Sequence, residues 1–367
     1  MNLLNIRLVF ILLFVVQISY AQQSAKYSYS LGAEVSKGII HRHHEYIGQL
    51  IKGMPTSIEL SFRKKTFGAN SWEANYNYPD IDFKISYFDL KNKEQLGNVV
   101  AASTGMSFHL LGRPSLKNEL QFYFGLGLAY STNPYNKDFN NLNNVISSAV
   151  SFNGNLRFSY HHQFGNRLNA GLGLKVTHFS NGSAKLPNNG LNIVSVDVMA
   201  IYKLSPVNPE YMPVSLDQSI DKKIRYGAVV RMGWSESTPA GSGVKPVYNI
   251  GIIAQKRVSI KSLLDAGIEG FANKAVEYEI THGHSFDGDT LDYRRVGLMV
   301  GHELLVNKLT FVTQLGYYLY KPYYPKDRIY ARIGLNYYFT DRIYGGINLK
   351  THYAVAEVID YNIGFRF

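Results

Sequence analysis

The chain of 367 residues contains no cysteine. That absence excludes a disulfide scaffold, a thiolate metal site and a cysteine nucleophile. Beyond residues 1–21 it also lacks any apolar run long enough for a membrane-crossing helix, which needs about 20 residues. There is no phosphate-cradling glycine motif, no redox motif and no nucleic-acid module. Tryptophan is scarce, 2 residues against 28 tyrosines, 20 phenylalanines and 32 glycines. Acidic residues are outnumbered, 27 against 38 basic ones, for a net charge of +11.

What is present begins with an export signal over residues 1–21. Arg7 supplies its positive end, residues 8–16 its apolar core, and Ser19-Tyr20-Ala21 a small-residue cleavage site before Gln22. A retained anchor helix is the other reading, and the shortness of the apolar run counts against it. In an exported chain the basic excess points to anionic lipid headgroups and away from nucleic acid. Solubility alone also accounts for it.

Past the signal, segments of period-two alternation are separated by turn residues. Strands are expected near residues 27–36, 57–65, 81–90, 98–111, 119–130, 149–162, 168–180 and 192–204. They continue over 224–235, 247–257, 262–271, 293–306, 309–320, 329–339, 343–353 and 358–367. Each approaches the length a tilted membrane strand requires. Short connections such as 164–167, 259–261, 307–308 and 341–342 alternate with longer polar ones at 131–148, 181–191, 236–246 and 273–292. Such asymmetry belongs to barrels with periplasmic turns and extracellular loops. The terminal segment, with Ile359, Tyr361, Ile363, Phe365 and Phe367 on one face, resembles the closing strand of a bacterial outer-membrane protein.

The fold class expected is therefore all-β: an antiparallel up-and-down transmembrane β-barrel of about 14–16 strands. A soluble sandwich or lipocalin-like barrel is the alternative, disfavoured by the aromatic alternation and the loop asymmetry. Residues 22–204 form the N-terminal part of that barrel and 224–367 the strands that close it. Between them, residues 205–223 form a long connection on the periplasmic side with Pro206, Pro209 and Pro213. That length breaks the short-turn rule and marks either a packed excursion or a boundary between an N-terminal unit and a C-terminal extension.

One hairpin, residues 172–204, concentrates the chemistry. Ala170, Leu172, Leu174 and Val176 share a face, and the next members of that set are His178 and Ser180. On the return strand Val194, Val196, Val198, Ala200, Tyr202 and Leu204 share a face that Asn192 extends. A serine becomes nucleophilic when a base takes its proton, and histidine is the usual base. His178 and Ser180 are i and i+2 on one strand, and Asn192 approaches His178 across the ladder to orient its ring. Asp197 has the opposite parity and faces the lumen. Donors for an oxyanion lie in the loop: the amides of Asn181 and Asn188 and the backbone N–H of Gly182.

His178-Phe179-Ser180-Asn181-Gly182 followed by Asn188-Asn189-Gly190 resembles the signature of the PagL family, the outer-membrane lipid A 3-O-deacylases or acyloxyacyl hydrolases. The resemblance covers the strands around residues 119–204. It implies an esterase that removes the 3-O acyl chain of lipid A at the lipid-facing outer rim. His178 would then be base, Ser180 nucleophile, Asn181 oxyanion support and Asn188 a site-shaping residue. Lipopolysaccharide is the implied substrate, the outer membrane of a Gram-negative bacterium the location, and no cofactor is needed. The family's acid is a Glu fourteen residues after the histidine, and Asn192 stands there. An amide can orient an imidazole without supplying charge. The chain is also about twice the length of the eight-stranded family members. These two departures keep a second reading open: a non-catalytic barrel, a pore, transporter or structural protein, that retains the motif.

Weaker signals complete the inventory. His41-Arg42-His43-His44 lies in an external loop as polar loop content or a transition-metal site. Asp287-Gly288-Asp289 with Asp292 resembles half a calcium loop without its terminal Glu, and His282 and His284 lie nearby. Lys185 is placed to meet a lipid A phosphate. His352, in an echo of the His178 segment, has lumen parity and reads as structural.

Overall fold

The computed structural model describes residues 27–111, 117–205, 210–213, 219–282, 292–323, 328–353 and 355–367. The export signal, Pro206, Pro209, His284 and the Asp287-Gly288-Asp289 segment lie outside them. Among the described residues sixteen strands form, paired antiparallel with their neighbours. The first eight are β1 (Ser28–Ile40), β2 (Thr56–Lys65), β3 (Asp80–Asn92), β4 (Gly97–Leu111), β5 (Asn118–Ser131), β6 (Val150–Phe164), β7 (Leu168–Ser180) and β8 (Leu191–Lys203). The second eight are β9 (Ile224–Glu236), β10 (Val244–Arg257), β11 (Ser262–Asn273), β12 (Arg294–Val306), β13 (Leu309–Tyr320), β14 (Ile329–Tyr338), β15 (Ile343–His352) and β16 (Val355–Arg366).

The barrel class and the sixteen strands are as the alternation predicts; the closure differs. The strands make two closed eight-stranded barrels, β1 pairing with β8 and β9 with β16, in place of one sheet running through all of them. Residues 224–367 accordingly close on themselves and not on the N-terminal strands. The reason lies inside. An eight-stranded barrel has an interior just wide enough for side chains to fill, whereas sixteen strands leave an aqueous channel. Here large lumen-facing side chains span the narrow interior. Arg157, Lys175 and Tyr123 are fully buried in the first barrel, and Arg332, Tyr318 and Tyr330 in the second. Gly316 makes room for the ring of Tyr330, where any Cβ would collide with it.

Burial is inverted relative to a soluble protein. Leu31, Val35, Ile58, Leu60, Phe83, Ile85, Leu172 and Leu174 are exposed on the first barrel, while Glu34, Glu59, Asp82, Arg157 and Lys175 are buried. In water that arrangement would be ruinous, because charged side chains are almost never buried unpaired and large apolar faces seek cover. In lipid it is the expected one. The buried charges are paired. Glu34 bridges Arg157 and Lys175, and Arg63 binds Asp82 at 2.7 Å. In the second barrel Glu269 accepts from Arg332 at 2.9 Å and from Tyr330 at 2.7 Å. Closure satisfies the backbone of every strand, the condition a sheet must meet in hydrocarbon.

One end of the first barrel is capped by its connections. A 3₁₀ turn, Glu45–Leu50, drops Ile47 and Leu50 into a cluster with Ile40, Leu90, Leu96, Val145, Ile146, Phe179, Leu191 and Ile193. At the other end the described part of the long connection packs on the β2–β3 loop, with Tyr211 against Phe67 and Tyr78 at ring distances of 4.9 and 4.8 Å. Among the described residues two α-helices fall within loops, Ser71–Asn75 and Lys274–His282.

Candidate active site

The site is assembled at the capped end by the β7–β8 hairpin. Its register sets His178 opposite Asn192 and Phe179 opposite Leu191. Phe179 and Leu191 are buried in the apolar cluster, so alternation turns His178, Ser180 and Asn192 outward. His178 is exposed, and Ser180 and Asn192 are half-buried. The same outward face carries Val176 and Val194, both exposed. Asp197 is fully buried in the lumen, and His352 is buried in the second lumen, its Nε2 3.2 Å from Tyr318 Oη.

His178 Nδ1 lies 2.6 Å from Asn192 Oδ1. An amide oxygen only accepts, so Nδ1 carries the proton and Nε2 keeps its lone pair. The Asn192 amide thus holds the ring by geometry, without the charge a carboxylate would bring.

The Ser180 hydroxyl accepts from Asn188 Nδ2 at 2.8 Å and from the Gly182 backbone N–H at 3.1 Å. With both lone pairs engaged, its own proton is the capacity that remains. Donors directed at the oxygen also favour its anionic form. Among the described residues His178 and Ser180 make no direct hydrogen bond: the imidazole bonds Asn192, and the hydroxyl bonds Asn188 and Gly182. They share the β7 face at a spacing of two, and such contacts commonly tighten only when substrate is bound.

Asn181 is tied into the loop beside Ser180. It is buried, its side chain donates to the Lys185 carbonyl at 2.9 Å and its N–H to Asn188 Oδ1 at 3.3 Å. These bonds close the loop, and the donors that converge on Ser180 are Asn188 and Gly182. Lys185 is exposed.

Gly190 closes the hairpin loop at φ +74° and lies against the imidazole. A Cβ there would stand 2.9 Å from His178 Cε1. Both the left-handed backbone and the close approach require glycine.

A residue that motif reading misses is His43. After Ile40 the ladder between β1 and β8 runs one step further, His41 N–H donating to the Asn192 carbonyl at 2.9 Å. That brings His43 Nδ1 to 3.3 Å from Asn192 Nδ2. The sequence signal was the histidine run itself, read as polar loop content or a transition-metal site. Among the described residues no group of three or more His, Asp or Glu is arranged to hold a metal ion.

Closed antiparallel sheets with apolar exteriors and charged, side-chain-filled interiors define a transmembrane β-barrel protein. Residues 56–199 match the family model described as lipid A 3-O-deacylase (PagL), and residues 224–367 match the acyloxyacyl hydrolase C-terminal domain. The chain belongs to the PagL-like family of outer-membrane lipid A 3-O-deacylases. The first model covers β2 into β8 and the second covers the whole second barrel. Among solved structures, the outer membrane enzyme PagL is 18% identical over 46% of this chain and 97% of its own, with a TM-score of 0.31. The outer membrane protein Omp33 of Acinetobacter baumannii is 8% identical over 94% of this chain and 100% of its own, with a TM-score of 0.19. A mutant porin of Rh. blastica is 10% identical over 93% and 100%, with a TM-score of 0.20. No curated protein sequence matches the chain.

Proposed function

We propose that this protein is an outer-membrane esterase that removes the ester-linked acyl chain at position 3 of lipid A. The observation that carries the reading is the outward face shared by His178, Ser180 and Asn192 at the end of β7 and β8, beside exposed valines. A water-soluble substrate has no reason to meet a serine there; an acyl chain lying in the outer leaflet does.

In this reading Ser180 Oγ attacks the ester carbonyl while His178 Nε2 takes its proton. The carbonyl oxygen becomes an oxyanion, held by donors of the Ser180–Asn189 loop, of which Gly182 N–H and Asn188 Nδ2 are already directed at Ser180. Collapse breaks the ester C–O bond, and His178 returns the proton to the departing sugar hydroxyl. Water, deprotonated by His178, then attacks the acyl carbonyl; the bond to Ser180 Oγ breaks, His178 returns the proton to Oγ, and the fatty acid leaves. Asn192 holds the ring in the tautomer each step needs. Lys185, exposed on the same loop, suits an anionic phosphate of the substrate.

The one observation favouring a non-catalytic barrel is Asn192 in the acid's place. A pore has less support, since buried Arg, Lys and Tyr side chains occupy both interiors. The experiment is expression in a lipid A-producing host with Ser180→Ala as the comparison. Mass spectrometry of lipid A is expected to show one acyl chain lost with the native chain and retained with the variant. Identical patterns from the two would refute the reading.

A further inference from the structure

A carboxylate presents an acceptor oxygen whichever way it turns. An amide does not: rotated by half a turn, Asn192 would offer Nδ2 to His178, and the ring would then need its lone pair on Nδ1 and its proton on Nε2. That tautomer cannot accept the proton of Ser180. A chain that places Asn at this position therefore needs a second group to decide which way the amide faces, and His43 stands at the other end of that amide, 3.3 Å from Nδ2.

We propose that His43 is a positioning residue that sets the orientation of the Asn192 amide and, through it, which nitrogen of His178 carries the proton. This rests on the Ser180–His178 reading of the site. With its Nδ1 lone pair turned to Asn192, His43 accepts from Nδ2, Oδ1 faces His178, and Nε2 of His178 is left free to act as base. A competing partner of His43 Nδ1, nearer than the amide, is the His41 carbonyl, 3.1 Å away. A proton on that nitrogen would donate to the carbonyl and invite the amide to rotate.

His43 is held in place from both sides. Upstream, the His41 N–H is bonded to the Asn192 carbonyl. Downstream, the 3₁₀ turn is anchored by Ile47 and Leu50 in the apolar cluster that also contains Phe179 and Leu191, the neighbours of His178 and Asn192 in sequence. The side chain is half-buried between exposed His41, Arg42 and His44.

The test uses the full chain with ¹⁵N-labelled histidine, in His43→Phe and His43→Asn variants and in an Asn192→Asp background. Ring ¹⁵N shifts read the His178 tautomer whether or not the enzyme turns over, so this arm stands apart from the deacylase reading. The native chain is expected to show the Nδ1–H form, His43→Phe a mixture of both forms, and His43→Asn, which restores an acceptor, the Nδ1–H form again. Kinetics on lipid A in detergent are expected to show His43→Phe lowering kcat about tenfold with KM within about twofold. In the Asn192→Asp background the same substitution is expected to change kcat by less than about twofold, the non-additivity of coupled residues. A His178 tautomer unchanged by His43→Phe would overturn the proposal, as would an equal loss of kcat in both backgrounds. Lipid A left intact by both the native chain and Ser180→Ala, with the tautomers as expected, would overturn the esterase reading and leave the His43–Asn192–His178 relay standing.

Discussion

Replacing Asn192 with Asp is expected to make the enzyme faster. The amide oxygen sits 2.6 Å from His178 Nδ1, and Asp is isosteric with Asn, so the carboxylate falls on the same spot. When His178 takes the Ser180 proton it becomes an imidazolium, and the native amide gives that charge no counterpart. A carboxylate about 4 Å from the ring centre is worth about 4 kcal/mol at an effective dielectric constant of about 20. His178 is exposed, and solvent screening brings the figure to about 1–2 kcal/mol. That corresponds to roughly a five- to thirtyfold rise in kcat. The same charge raises the pKa of His178, so a larger share of the base is protonated at any given pH, and the acid limb of kcat/KM moves to higher pH. The assay is fatty-acid release from purified lipid A in detergent, over a pH series. A folded Asn192→Asp barrel whose rate falls, or whose acid limb stays in place, would refute the view that Asn192 acts on catalysis through His178.

Other expectations follow from the same geometry. Gly190→Ala forces an L-residue into φ +74° and sets a Cβ 2.9 Å from the imidazole; misplacing the base by about 1 Å is expected to lower kcat about a hundredfold, with the barrel still folded by gel mobility. Asn188→Ala removes a donor from Ser180 Oγ; a hydrogen bond to the developing alkoxide is worth about 1.5–3 kcal/mol, so kcat falls roughly ten- to hundredfold with KM little changed. Glu34→Ala removes the carboxylate shared by Arg157 and Lys175 in the first lumen and leaves them only the longer contacts to Asp197 and Glu59, 3.9 and 3.8 Å; loss of one partner of a buried pair is expected to destabilise by about 3 kcal/mol, measured by urea unfolding in detergent.

The strands were legible because their signal is local. A period of two written in apolar and polar residues survives wherever one face meets lipid and the other a polar interior; β7 and β13 run from 168 to 180 and 309 to 320 as the alternation alone predicts. Closure is not local. Nothing in the alternation says that β8 pairs back to β1 and not onward to β9; that choice depends on whether the lumen is filled. The bulky lumen set, Arg157, Tyr123, Arg332 and Tyr318, was the available clue, together with the long connection after β8. The hairpin site was readable for the same reason as the strands: His178, Ser180 and Asn192 lie on two adjacent strands of known parity. His43 was not, because it reaches Asn192 only through the β1–β8 seam that closes the barrel, 149 residues away in sequence. The bond from the Asn181 amide to the Lys185 carbonyl was not readable either, because a motif gives neighbours, not bond directions.

The central claim is that Ser180 is a nucleophile made reactive by His178. Its most direct test is labelling of the folded, detergent-solubilised barrel with an alkyl fluorophosphonate, followed by peptide mass spectrometry. The account predicts a single covalent adduct, on Ser180, that forms far more slowly after His178→Ala and not at all after Ser180→Ala. A folded barrel that releases fatty acid from lipid A while Ser180 stays unlabelled would contradict it.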